Sequence, residues 1–250
     1  MKMMKMFSVS DYIKECLKEK DRKEIEEIEE IVRSVEELPK NSYDSYLLCV
    51  NKMSATLTQG EKFDDSDVVY LQAFLHEWYM CRALRTRRTK GDEKEKTKGE
   101  WEVWTECREW LKENFDGIKK FHGIYLDGID INQYEKDIKN LLDGLRKIVG
   151  PISAAKILHV MAPAIFPIWD TKVRKSKLKL GDDGSAYFGF MSQIKEFLSS
   201  NTEEDKQGSN LISELAEKYY GEKGRQFKLK ILDAIIWGNE RENKKRNNSK

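Results

Sequence analysis

Apolar residues recur along this chain at steps of three, four and seven with charged residues between them, a period that predicts helices from one end to the other. The first helix runs from a cap at Ser8 or Ser10 through Ile13, Leu17, Ile25, Ile28, Ile31, Val32, Val35 and Leu38 to Pro39, with a very polar middle over residues 18–30. Tyr43 to Leu57 follows and Gly60 stops it; Asp65 to Arg88 comes next, its stripe formed by Val68, Val69, Leu71, Phe74, Leu75, Trp78 and Leu84. After a polar run the period resumes in Glu100 to Phe115 with Trp101, Trp104, Trp110 and Leu111, and it pauses over Gly117 to Gly128. It returns in the amphipathic Ile131 to Ile148 and the strongly apolar Ile152 to Met161. Pro163 to Pro167 reads as a turn, Thr171 as a helix start, and Gly181-Asp182-Asp183-Gly184 as a break before Tyr187 to Leu198, Asn210 to Tyr219 and Gly224 to Trp237. Alternating stretches are short and bounded by helical patterns, so the class predicted is all-α, a helical bundle of two lobes.

The run over residues 91–98 contains no apolar side chain and reads as an exposed loop at a lobe boundary. That divides the chain into an N-terminal helical region over 1–95, a second helical region over 96–240 and a disordered basic tail over 241–250.

Composition changes this picture in a few places. A chain of 250 residues with six Trp, ten Tyr and ten Phe can bury a substantial core, so disorder is not the expectation. Its 45 basic and 44 acidic residues nearly cancel, which removes a global polyanion-binding field and leaves nucleic-acid contact to a local patch. Arg82, Arg85, Arg87, Arg88 and Lys90 are one such patch, which reads also as a solvated helix end favourable to the dipole. A Lys/Glu-rich surface is also seen in hyperthermophile proteins. Cys16, Cys49, Cys81 and Cys107 form no CxxC or Cys/His cluster, so reduced, buried thiols are expected, with no metal and no cofactor. The basic first seven residues lack the apolar run of a signal peptide, and no stretch approaches the ~20 apolar residues of a membrane span. A cytoplasmic address without membrane contact is the expectation.

The chemically suggestive stretch is Leu145-Arg146-Lys147-Ile148-Val149-Gly150-Pro151-Ile152-Ser153-Ala154-Ala155-Lys156, followed by Trp169-Asp170-Thr171-Lys172-Val173-Arg174. A glycine turn between two helices points main-chain amides outward, a site for one phosphate, though Gly150-Pro151 also fits an ordinary interhelical turn. Ala154 and Ala155 let the paired helices approach closely. Asp170 fits the N-cap of the helix starting at Thr171, where a short carboxylate accepts from exposed amides. His159 and His76 fall on apolar faces and read as core.

This stretch resembles the helix-hairpin-helix DNA glycosylase superfamily, whose hairpin reads roughly Leu-x-Gly-Val-Gly-x-x-Thr-Ala and whose catalytic aspartate lies in Val-Asp-Thr-His-Val-x-Arg. Val149-Gly150 match the second half of the hairpin, Ser153-Ala154 its Thr-Ala, and Asp170-Thr171 and Val173 the aspartate segment, over about 30 of 250 residues. Ile148 replaces the first hairpin glycine, Lys172 the histidine, and Arg174 comes one residue early. The resemblance implies two helical lobes flanking a cleft, a duplex DNA partner gripped through Lys147, Val149, Gly150, Ile152, Ser153, Lys172 and Arg174, and excision of a damaged or modified base through Asp170. It also implies Trp169 as a candidate for stacking on the extruded base, with Trp78 and Tyr79 as alternatives. Where bifunctional members carry a lysine nucleophile this chain has Ile152, and Lys156 lies one turn further along, so a monofunctional reaction is expected. A non-catalytic nucleic-acid-binding protein of the same scaffold, or a helical protein of another role, fits the same residues.

Overall fold

A computed structural model describes residues 11–13, 16, 40–59, 62–77, 99–170 and 180–236. Expectations for Trp78, Tyr79, Cys81, the Arg82 to Lys90 patch, the loop over 91–98, Thr171, Lys172, Arg174 and the basic tail lie outside the described residues. Within them the chain is all-α with no strand. The elements are α1 (Lys40–Gln59), α2 (Asp65–Glu77), α3 (Glu100–Lys119), short 3-10 turns at Leu126–Gly128 and Ile131–Tyr134, α4 (Glu135–Val149) and α5 (Pro151–Met161). Then come α6 (Gly184–Ser199), α7 (Glu203–Tyr220), a 3-10 stretch Gly221–Phe227 and α8 over residues 228–236. No helix among the described residues is long and apolar enough to cross a membrane.

α1 buries Tyr46, Cys49, Val50, Met53 and Leu57, the helical spacing that its sequence carries. It is tied to α2 through polar atoms as well: Thr56 Oγ1 donates to Asp67 Oδ1 at 2.8 Å and Lys52 pairs with the same oxygen at 3.2 Å. Asp64 caps α2 by accepting from the Ser66 and Asp67 amides at 2.7 and 3.1 Å. Val69 and His76, expected on the apolar stripe, face solvent. The buried stripe is Val68, Leu71, Phe74 and Leu75, and both residues lie off that arc.

α3 runs four residues past its expected end. Its inward stripe Trp104, Cys107, Leu111 and Phe115 continues to Ile118, which is fully buried, so packing carries the helix through Gly117 despite the intrinsic cost of about 1 kcal/mol for a helical glycine. Trp104 is core and Trp110 half-buried, but Trp101 is 76% exposed.

α4 turns Ile138, Leu141, Leu142, Leu145 and Val149 inward, while α5 is buried from Ser153 to Met161 almost without interruption. One residue separates them. Gly150 has φ +85°, a conformation that costs an L side chain strain, its N–H closes α4 on Arg146 O at 2.9 Å, and Pro151 opens α5 where a missing N–H costs nothing. α6 crosses α4 at Gly184, where a Cβ would come within 2.6 Å of Lys139 O. Asp143 of α4 accepts the Gly184 N–H at 2.9 Å, and Asp183 caps α6 through the Ala186 amide, so this helix starts three residues before the expected Tyr187.

α7 begins at Glu203, well before the expected Asn210, because Thr202 accepts from the Asp205 amide and three acidic residues occupy its first turn. The expected helix from Gly224 starts only at residue 228, after the 3-10 stretch. Buried side chains from Tyr12 to Ile236 form one core cluster that includes residues from both sides of the 91–98 run. Cys16, Cys49 and Cys107 are buried free thiols, and burial pushes the Cys107 thiol up to about 12.

Candidate functional site

The segment that delivers Asp170 is fixed by three contacts. His159, fully buried on α5, places Nδ1 2.7 Å from the Phe166 carbonyl oxygen and Nε2 2.9 Å from the Tyr46 hydroxyl. A carbonyl only accepts, so Nδ1 carries the proton, Nε2 accepts from Tyr46, and the ring is neutral. Burial is also the main reason that its pKa falls to about 3. Tyr187 of α6 donates its hydroxyl to Pro167 O at 2.8 Å, and burial raises that phenol well above its ordinary value, keeping the donor protonated. Trp169, fully buried, packs its ring 5.2 Å from Tyr187 and 6.4 Å from Phe190, centroid to centroid. Both neighbours are protein aromatics of the core, so the ring expected to stack on a base is placed inside; an extruded base would have to displace it.

Asp170 itself is half-buried and interacts electrostatically with a group of charges that is otherwise interior. Lys156, 5% exposed on α5, lies within the fields of Asp170 and of Asp233 from α8. Lys230, 3% exposed, pairs with Asp233 at 3.6 Å and sits 5.9 Å from the centre of the Tyr46 ring. Desolvation lowers the Lys156 pKa while the two aspartates oppose that shift; desolvation raises that of Asp233 while Lys230 and Lys156 oppose it. Two lysines and two aspartates thus balance in charge where neither sign alone would be tolerated.

The turn between α4 and α5 presents a different surface. Lys147 is exposed and Gly150, Pro151 and Ile152 are half-exposed, whereas the Val149 and Ser153 side chains are buried. At positions 149 and 153 only main chain remains for a ligand. Ala154 N–H already bonds Gly150 O at 2.9 Å and proline has none, which leaves the Ile152 and Ser153 amides without an intrahelical acceptor. Arg146 is committed to Asp143 at 2.6 Å and Asp182 at 3.7 Å.

Lys156 and Asp170 are therefore brought together, with the Gly150 turn at the start of the same helix that carries Lys156. Lys230, Asp233, Tyr46 and Tyr187 escaped the sequence reading. The signal for two of them was present: Lys230 and Asp233 stand three apart inside the apolar run from Phe227 to Ile236. Among the described residues no group of three or more His, Cys, Asp or Glu is placed to hold a metal ion. Comparisons with protein-family models, curated proteins and solved structures find no match to this chain.

Proposed function

We propose that this chain grips duplex DNA with the turn around Gly150 and hydrolyses an N-glycosidic bond with Asp170, releasing one base without cutting the strand. The observation that carries the reading is the position of Asp170: half-exposed at the end of a clamped segment, beside a buried lysine on the helix that the glycine turn begins. Two free amides at the start of α5 and the exposed Lys147 suit a phosphate oxygen. The carboxylate of Asp170 suits the positive charge that develops on the sugar as the C1′–N bond breaks and its electron pair leaves with the base. Water then adds at C1′ and gives its proton to the carboxylate, which passes it to the departed base and is restored.

Lys156 fits a supporting role in this reaction. At 5% exposure, in the fields of two aspartates, its amine is buried, which favours water over lysine as the nucleophile. The test is base release from a panel of lesion-containing duplexes. Asp170→Asn is expected to slow release at least ~100-fold with duplex binding retained and steeply salt-dependent. Binding without release from any lesion would favour the non-catalytic DNA-binding alternative, and absence of duplex affinity at low salt would overturn both.

A further inference from the structure

At the far end of α5 from the glycine turn, about 16 Å away by helix rise, a pocket of about 230 Å³ opens between α1, the turn after α3 and the turn after α5. Ser54 and His122 both line it, and Ser54 Oγ lies 3.1 Å from His122 Nε2. This serine turns away from its own helix. Several hydroxyls on helices here bond back to the carbonyl four residues earlier, as those of Thr105, Ser192 and Ser213 do. Ser54 turns instead across 68 residues of sequence to an imidazole.

Burial holds the His122 pKa below its ordinary value of 6.5, so the ring is neutral at physiological pH and Nε2 can accept the serine proton. The turn that carries His122 also supplies donors. Ile124 N–H bonds Phe121 O and Leu126 N–H bonds Ala164 O, which leaves the Gly123 and Tyr125 N–H groups, both in pocket-lining residues, without a backbone acceptor. Gly123 has φ +75°, a conformation that glycine adopts without strain. Val50, Met161 and Pro163 give the remaining wall an apolar face.

We infer that Ser54 and His122 form a nucleophile–base pair that cleaves small carboxylic esters in this pocket, an activity independent of the one proposed for Asp170. Ser54 Oγ attacks the ester carbonyl carbon as its proton passes to His122 Nε2, and the carbonyl electron pair moves onto an oxygen facing the Gly123 and Tyr125 amides. Collapse expels the alcohol, which takes the proton from His122. Water repeats the sequence on the acyl-serine and releases the acid, restoring both side chains. The small pocket volume and its apolar wall suit a small ester rather than a bulky one.

The test uses the full chain with a small alkyl fluorophosphonate, in which Oγ displaces fluoride, followed by peptide mass spectrometry, and with p-nitrophenyl acetate and butyrate as substrates. One adduct on Ser54 is expected, absent in Ser54→Ala and formed about 100-fold more slowly in His122→Gln. Ser213→Ala, a helical serine bonded to its own helix, should label at Ser54 as the parent does. Circular dichroism and the melting temperature establish that each variant is folded. An unlabelled Ser54 in the folded parent overturns the inference, as does equal labelling of Ser54 in His122→Gln.

Discussion

Two of the hydroxyls on α1, those of Tyr46 and Ser54, lie about 12 Å apart along the helix, and each meets a histidine. The pairs match in atoms and nearly in length, yet their surroundings differ. His159 has both ring nitrogens engaged, one by Tyr46 and one by the Phe166 carbonyl, and is shut away from water. His122 is half-exposed and meets its serine at the edge of a pocket. A hydrogen bond between a hydroxyl and an imidazole is therefore no sign of chemistry by itself. What decides is the ring's second nitrogen and the space beside the hydroxyl: two partners and no space make a brace, and an open side makes a reactive pair.

The severest way to break this contrast is to empty the sealed side. Trp169→Ala should cost about 3–5 kcal/mol, measured from the urea midpoint, because the lost ring packs against Tyr187 and Phe190 and leaves a cavity. A loss below about 1 kcal/mol would mean that this segment is not core.

Acid should separate the two histidines next. His159 in the unfolded chain takes a proton near its ordinary value of 6.5, whereas the folded protein holds that ring neutral down to about 3. The unfolded state binds the extra proton in that window, so stability rises with pH across it and falls on acidification. Between about pH 6 and about pH 4.5 the parent should lose roughly 1.5–2 kcal/mol more than His159→Gln. Parallel losses in the two proteins would remove His159 as the cause.

The smallest effect sharpens the comparison hydroxyl by hydroxyl. Tyr46→Phe leaves a buried ring nitrogen without its donor and should cost about 1–3 kcal/mol, while Ser54→Ala, beside an open pocket, should stay within about 0.5 kcal/mol. Equal costs would show that the two pairs are the same kind of contact.

The parts of this molecule that were legible in sequence are those set by local periodicity. The α4 stripe from Ile138 to Val149 is an uninterrupted helical pattern, and it buries as its spacing predicts. The capping signal Thr202-Glu203-Glu204-Asp205 was also there, but the polar first turn concealed a helix whose apolar residues come later. Trp101, identical in kind and spacing to Trp104, could not be told from it, since which arc of α3 faces the core depends on where its neighbours pack. Asp170 stood out through a local motif, whereas Lys230 and Asp233 did not, because their meaning comes from Lys156, more than seventy positions away, and only the folded chain puts α5 beside α8. Ser54 and His122 carried no signal that a linear reading could weigh, being 68 residues apart, with His122 inside the pause of the helical period over 117–128.

The Tyr46–His159 bond also bears on the order in which the molecule comes together. It joins positions 113 residues apart, whereas α4 and α5 meet across a single glycine. Loop closure makes the first contact expensive to form early and the second cheap, so the helical pair around Gly150 can assemble from its own neighbourhood. The Phe166 to Asp170 segment is held by His159 and by α6, and the His159 ring gains its second partner only once α1 has docked on α5. A partly folded chain would then carry a finished glycine turn and an incompletely anchored Asp170, and the placement of that carboxylate reports the completion of the fold.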